Sequence, residues 1–248
     1  MYKKLRFSDN GHITNNSQGR VDYLFENRPK KKIYNVVRHK TENQLLYMEA
    51  IDNNDIIFCT GVAGSGKTHI AVGMAVEGLK TEQFQKIIAI RPCIGVTRTL
   101  GYLPGDINDK VTPFLRPIFD ELHKFFTVDE IKRLQSHNIL ETGSLEHVRG
   151  RTFEDAYVIL DEAQNCTREE LKVFLTRLGQ GSKLVINGDI TRDGQGFYTQ
   201  CDLPLDEQGA FEYQCNNLKD LEGVKVIQLL ASDCVRHPLV QKMLERGL

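Results

Sequence analysis

No run in this 248-residue chain approaches the ~18 consecutive apolar residues that a membrane-spanning helix needs. The first residues, Met1 to Asp9, have no apolar stretch of the kind a secretory leader carries, so a cytoplasmic protein without membrane contact is expected. The six cysteines, Cys59, Cys93, Cys166, Cys201, Cys215 and Cys234, are scattered and include no C-x-x-C pair. That spacing argues against a zinc site and a disulfide framework, and for free thiols in a reducing compartment. Net charge is close to balance at −1, which removes any global electrostatic argument for a polyanionic partner. Internal repeats and low-complexity tracts are also missing.

What charge there is lies unevenly. Arg28, Lys30, Lys31, Lys32, Arg38 and Lys40 fall in a stretch without a single acid. This is either a patch for phosphate backbones or a solvated basic arm. Residues 1–40 read as an N-terminal arm with one short strand at 32–37. Residues 41–248 read as one domain in which helices and strands alternate.

Helices are expected at 44–51, 67–80, 106–126, 128–137, 167–178 and 236–246. Apolar-rich runs at 56–60, 86–90, 156–160, 183–186 and 224–229 read as strands. Strands apolar on both faces and separated by helices imply an α/β fold with a mainly parallel sheet of about five strands, covered on both sides.

Between the first strand and its helix stand Gly61, Val62, Ala63, Gly64, Ser65, Gly66, Lys67 and Thr68, which fit G-x-x-x-x-G-K-[ST]. Such a loop turns backbone N–H groups onto phosphates, and the helix N-terminus adds partial positive charge. Lys67 is placed to reach the β- and γ-phosphates, Thr68 to bind Mg²⁺, and His69 to border the nucleotide.

The run Tyr157-Val158-Ile159-Leu160 ends in Asp161-Glu162-Ala163-Gln164. Ligands in open α/β sheets lie at the carboxyl ends of strands, so both carboxylates face the phosphate loop. Asp161 is the expected Mg²⁺ partner, and Glu162 the residue that orients and deprotonates an attacking water. An acidic pair here points to hydrolysis rather than transfer to another acceptor. Asp189, ending the fourth run, is placed to sense nucleotide or hold the water. It is otherwise an ordinary turn aspartate. No N-K-x-D guanine signature is present. Gln44, upstream of the loop, has an amide that can pair with adenine, which favours ATP, unless it is simply a surface residue.

From about Thr41 to Leu244 the chain resembles the PhoH-like family of P-loop ATPases, whose RecA-like three-layer core is related to superfamily-1 helicases. The resemblance rests on the phosphate loop and on Arg91-Pro92, Leu100 to Asp106, Lys110-Val111, Pro113, Arg116-Pro117 and Arg149 to Thr152. Leu160 to Asn165, Phe174 to Arg177, Gly188-Asp189 and Asp233 to Val240 also carry it. It implies ATP hydrolysis with Mg²⁺, ring-shaped, hexameric homo-oligomers and action on single-stranded nucleic acid, RNA ahead of DNA. By the same resemblance Arg236 is a catalytic arginine, serving its own site or a neighbour's.

The family pattern Gly-Asp-x-Thr-Gln-x-Asp-Leu-Pro is interrupted. This chain reads Gly188-Asp189-Ile190-Thr191-Arg192 and resumes only at Gln200-Cys201-Asp202-Leu203-Pro204. An insertion from Arg192 to Thr199 separates the halves. Gln200 folded back is the preferred γ-phosphate sensor, with Arg192 and Gln195 as alternatives.

Arg91, Arg149, Arg151 and Arg236 are candidates to stabilise phosphoryl charge. Arg149 and Arg151 are alternatively contacts for nucleic acid or a second subunit, and structural ion pairs are open to each. One RecA-like lobe is all this length accommodates, so a motor would need a second lobe from another subunit. A nucleotide-driven switch acting on proteins is the competing class.

Overall fold

A computed structural model describes residues 36–93 and 107–234. The elements are α1 (Glu42–Asn53), β1 (Ile56–Gly61), α2 (Lys67–Lys80), β2 (Lys86–Ile90), α3 (Ile107–Leu122), α4 (Val128–Ser136) and β3 (Leu140–Gly143). They continue with β4 (Ala156–Leu160), α5 (Arg168–Leu175), β5 (Lys183–Gly188), α6 (Ala210–Leu218) and β6 (Val224–Leu229), with 3-10 turns at Leu145–Val148, Ala163–Asn165 and Ala231–Asp233.

Six strands form one sheet in the order β3-β2-β4-β5-β1-β6, and every neighbouring pair is parallel. The alternation of side chains divides its core in two. Phe58, Ile88, Ile90, Val158, Leu160, Leu184 and Ile186 pack on one face with Phe153, Leu171, Phe174 and Phe211. On the other face α2 crosses β1, β2, β4 and β5 with α1 beside it. Nine of its residues are buried, from Ile70 to Leu79. This is the expected three-layer α/β arrangement.

The sheet has six strands rather than about five. The additional one, β3, is a short edge strand with only Leu140 buried, and its backbone pairs with β2 alone. An edge needs no apolar run, so nothing in its composition marks it. The unexpected α6 starts at Gly209 in the left-handed region (φ 84°), with no side-chain cap. The usual start signal is therefore missing. The helix expected over 106–126 ends at Leu122, and the one over 167–178 ends at Leu175. Where caps are written in the sequence the starts agree: Thr127 with Glu130, and Thr167 with Glu170, form reciprocal capping boxes for α4 and α5. Most of the strand expected at 32–37, the helix at 236–246, Arg236 and the 100–106 motif lie outside the described residues. Val36 and Val37 carry no strand.

Residues 36–40 reach α2 through Val37. Val37 is buried, and a Cβ added to Gly73 would stand 2.4 Å from the Val37 Cβ. Gly73→Ala gains about 1 kcal/mol of helix propensity but overpacks this contact, at a cost of roughly 1–3 kcal/mol. The overpacking wins, so a lower melting temperature is expected. A melting temperature at or above wild type would contradict the seating of Val37.

Candidate nucleotide-hydrolysing site

The order of the sheet places the chemistry. β5 lies between β1 and β4, so the phosphate loop, Asp189 and the Asp161-Glu162 pair all emerge at the carboxyl edge of adjacent strands. The loop turns through Gly64 (φ 85°) and Gly66 (φ 95°) before α2 begins at Lys67. Gly66 is doubly required. Its backbone is left-handed, and a Cβ there would lie 2.9 Å from Nε2 of Gln44.

Lys67 Nζ donates to the carbonyls of Gly61 (2.5 Å) and Val62 (3.0 Å), within the loop's own curve. Ser65 is fully buried and its Oγ donates to the Val62 carbonyl at 2.8 Å, which holds the loop closed. Thr68 Oγ1 donates to Asp161 Oδ1 at 2.9 Å. The two groups expected to share a metal therefore meet across 93 positions of sequence.

Asp161 is 2% exposed. Burial, then the charge of Glu162, push its carboxyl above the usual carboxylate range, against Arg91, Thr68 and Lys67, which work the other way. A buried carboxylate so incompletely compensated beside a hydroxyl is a hard-oxygen donor set that fits Mg²⁺. Among the described residues no three His, Cys, Asp or Glu side chains gather as a metal cage.

Glu162 has a left-handed backbone (φ 59°, ψ 41°), unusual for a residue with a side chain. Arg91 Nη2 donates to its Oε1 and Gln164 Nε2 to its Oε2, both at 2.6 Å. Arg91 follows β2, next to β4. Its Nε stands 3.7 Å from Asp161 Oδ2 and its Nη1 donates to the Phe114 carbonyl at 3.0 Å. The arginine therefore gathers both carboxylates.

Other expected residues take specific places. Gln44 is buried beneath the loop rather than on the surface: Nε2 donates to the Ser65 carbonyl (2.9 Å), and the Lys40 N–H donates to Oε1 (2.8 Å). A longer bond reaches the Asp233 carbonyl at 3.4 Å. Its amide is engaged within the chain, so base pairing would exchange these bonds. Asp189 closes a turn, its Oδ1 accepting from Thr191 N (2.8 Å) and Thr191 Oγ1 (2.5 Å). Gln200 has an exposed side chain, yet its carbonyl accepts from Gln164 Nε2 at 3.1 Å, so its main chain is what reaches this network. Arg192 is exposed and bonded to Glu212 and Tyr198, and Gln195 is exposed. Arg151 pairs with Glu141 at 2.6 Å, while Arg149 is exposed.

His69 Nδ1 lies 2.8 Å from Glu121 Oε2, and its ring stacks on Phe125. A cleft of about 690 Å³ runs over the loop, bordered also by Arg38, Lys40, Glu121, Lys124 and Glu162. No motif marks Glu121 and Lys124, because α3 reaches the cleft only through tertiary packing. Gln164 stands inside the Asp-Glu-Ala-Gln run, which gives it no role by itself. Its position next to the carboxylate pair is the available signal.

A sequence profile described as "PhoH-like protein" matches residues 36–246. A PhoH-like protein of Bacillus subtilis is 45% identical over 209 residues, covering 84% of this chain and 63% of its own length. Protein PhoH of Escherichia coli is 39% identical over 207 residues, covering 83% and 56%. The chain thus spans about three-fifths of the curated relatives it matches. Among solved structures, the large terminase of a thermophilic bacteriophage superposes with a TM-score of 0.53 at 14% identity, over 83% of this chain and 50% of that one. That likeness is one of fold.

Proposed function

This chain belongs to the PhoH-like protein family, and from that premise we propose that it is a Mg²⁺-dependent ATPase that drives a helicase-like oligomeric motor on single-stranded nucleic acid, RNA ahead of DNA, in the cytoplasm. The observation that carries the reading is the convergence of Lys67, Thr68, Asp161 and Glu162 at the carboxyl edge of β1 and β4.

Backbone N–H groups of the loop cradle the phosphates, and Lys67 exchanges the Gly61 and Val62 carbonyls for β- and γ-phosphate oxygens. Thr68 Oγ1 and Asp161 are the groups that would hold Mg²⁺, which when bound supplies charge neutralisation on those oxygens. Glu162 orients a water and takes its proton as the water oxygen bonds to the γ-phosphorus. The bond from that phosphorus to the β,γ-bridging oxygen breaks, giving ADP and phosphate. Arg91 steadies Glu162 from the β2 side.

Exposed Arg38 and Lys40 supply cationic surface at the cleft over the phosphate loop. The described domain is one lobe; strand movement in this reading uses a second, and Arg236 is the arginine to look for at a junction with another subunit. A protein-directed switch is favoured by a different observation, a groove of about 470 Å³ carrying exposed Phe197, Leu205 and Tyr213.

Steady-state phosphate release with and without single-stranded RNA separates the two. A motor is stimulated, and the stimulation fades as salt rises from about 50 to 200 mM. A rate indifferent to RNA and DNA at every salt concentration would overturn the nucleic-acid reading in favour of the switch.

A further inference from the structure

The segment from Arg192 to Thr199, expected from the sequence as an insertion, is left without a role by the hydrolysis scheme. It folds as a small hairpin. Arg192 and Tyr198 form an antiparallel bridge, Thr199 N donates to the Thr191 carbonyl at 3.0 Å, and Asp193 N donates to the Phe197 carbonyl at 2.9 Å. Outside, Arg192 Nη2 donates to Glu212 Oε2 on α6 at 2.6 Å and the Tyr198 hydroxyl donates to the same carboxylate. The hairpin is therefore fastened to α6 rather than hanging in solvent.

Its two ends return to a single side chain. Gln164 is 4% exposed and uses both ends of its carboxamide. Oε1 accepts from Asp189 N at 3.0 Å, just before the hairpin. Nε2 donates to the Gln200 carbonyl at 3.1 Å, just after it, and to Glu162 Oε2 at 2.6 Å. The return is pinned twice more on the same 3-10 turn: Cys201 Sγ donates to the Gln164 carbonyl at 3.1 Å, and Asp202 N donates to Asn165 Oδ1 at 2.8 Å.

We infer that Gln164 is a positioning residue for hydrolysis, which holds Glu162 in register with both ends of the inserted hairpin, and that the hairpin acts on turnover through this side chain. The inference rests on Glu162 being the residue that orients water. Two physical points support it. A hydrogen bond to a carboxylate is about twice as strong as a neutral one, so this amide sets where Oε2 lies rather than merely filling space. Glu162 also sits in a sparsely populated backbone conformation, which persists only where its surroundings over-determine it. Gln164 on one side and Arg91 on the other are those surroundings.

The test is a double-mutant cycle on ATP turnover with Gln164→Ala, Arg192→Ala and the pair, each checked by thermal melt. Gln164→Ala is expected to lower kcat roughly a hundred-fold, with KM for ATP within about two-fold. Arg192→Ala, which removes one of the hairpin's two bonds to Glu212 and leaves that of Tyr198, is expected to lower kcat about three-fold. In the Gln164→Ala background it is expected to change nothing further. A three-fold loss that persists in the double variant, no loss from Arg192→Ala alone, or a Gln164→Ala effect confined to KM would each overturn the inference.

If Gln164→Ala does not fold, Gln164→Glu takes its place. It keeps the shape and the acceptor for Asp189 N–H but loses both donations. Glu162→Gln run in parallel separates the two levels. Retained turnover in that variant removes the hydrolysis scheme itself, whereas an inactive Glu162→Gln with an additive cycle removes only the role of Gln164.

Discussion

Glu162→Gln is expected to lower ATP turnover about a thousand-fold while ATP binding survives, because general-base assistance contributes roughly 10²–10⁴ to rate. Binding survives because the phosphate loop is held by contacts that do not involve Glu162: Ser65 to Val62, Lys67 to Gly61 and Val62, and Gln44 to Ser65. The substitution is nearly isosteric, but the amide can present only one acceptor oxygen. It cannot take the proton from water, and one of its ends must be an NH₂ facing a donor, either Arg91 or Gln164. Turnover by single-turnover quench and binding by fluorescent-nucleotide titration check the two halves separately. Turnover near wild type would remove Glu162 from its role, and loss of binding would mean that the pair holds the loop as well as the water.

Asp161→Asn is expected to pull stability and function in opposite directions. Turnover with Mg²⁺ falls on the order of a hundred-fold or more, since a metal ion's share of charge stabilisation amounts to several kcal/mol. The protein alone, without nucleotide or metal, becomes more stable at neutral pH. The native carboxyl binds its proton more tightly than the unfolded one, chiefly through burial and then the charge of Glu162. Its share of stability is therefore greatest in acid, falls as pH rises through the interval between the unfolded and folded pKa values, and stays unfavourable above it. Asparagine carries no charge to bury and still accepts from Thr68. A gain of about 1 kcal/mol corresponds to a melting-temperature rise of about 3 °C for a chain of this size. The rise should shrink as pH is lowered through that interval. A variant that melts below wild type at pH 7 would mean that Arg91 already compensates Asp161 in full.

What is legible in the sequence follows from where the physics is local. The phosphate loop, the five apolar strands and the carboxylate pair each declare themselves within a few consecutive residues. β3 does not, since an edge strand needs only backbone partners, and α6 does not, since a glycine rather than a capping side chain begins it. The same limit divides the site. Thr68 and Asp161 can be paired from the sequence because strand ends converge in any sheet of this type. The grip of Arg91 on Glu162, the burial of Gln44 under Ser65 and the bonds of Gln164 to Asp189 and Gln200 span 71, 21, 25 and 36 positions, which spacing does not encode. Arg91, a candidate for the phosphoryl charge by its residue type, donates to Glu162 through Nη2.

Gln44 joins places that are remote in the chain. Through one amide it meets the Lys40 N–H, the Ser65 carbonyl and the Asp233 carbonyl, and Asn43 beside it donates to Asp233 Oδ2 at 2.9 Å. The first and last parts of the described domain thus rest on the underside of the phosphate cradle. By thermodynamic reciprocity, a nucleotide that prefers one arrangement of the cradle must also prefer one seating of those flanking segments, and whatever engages the flanks must alter affinity for the nucleotide by the same factor. A ligand in the cradle and one on the flanks would then be coupled through a single buried glutamine.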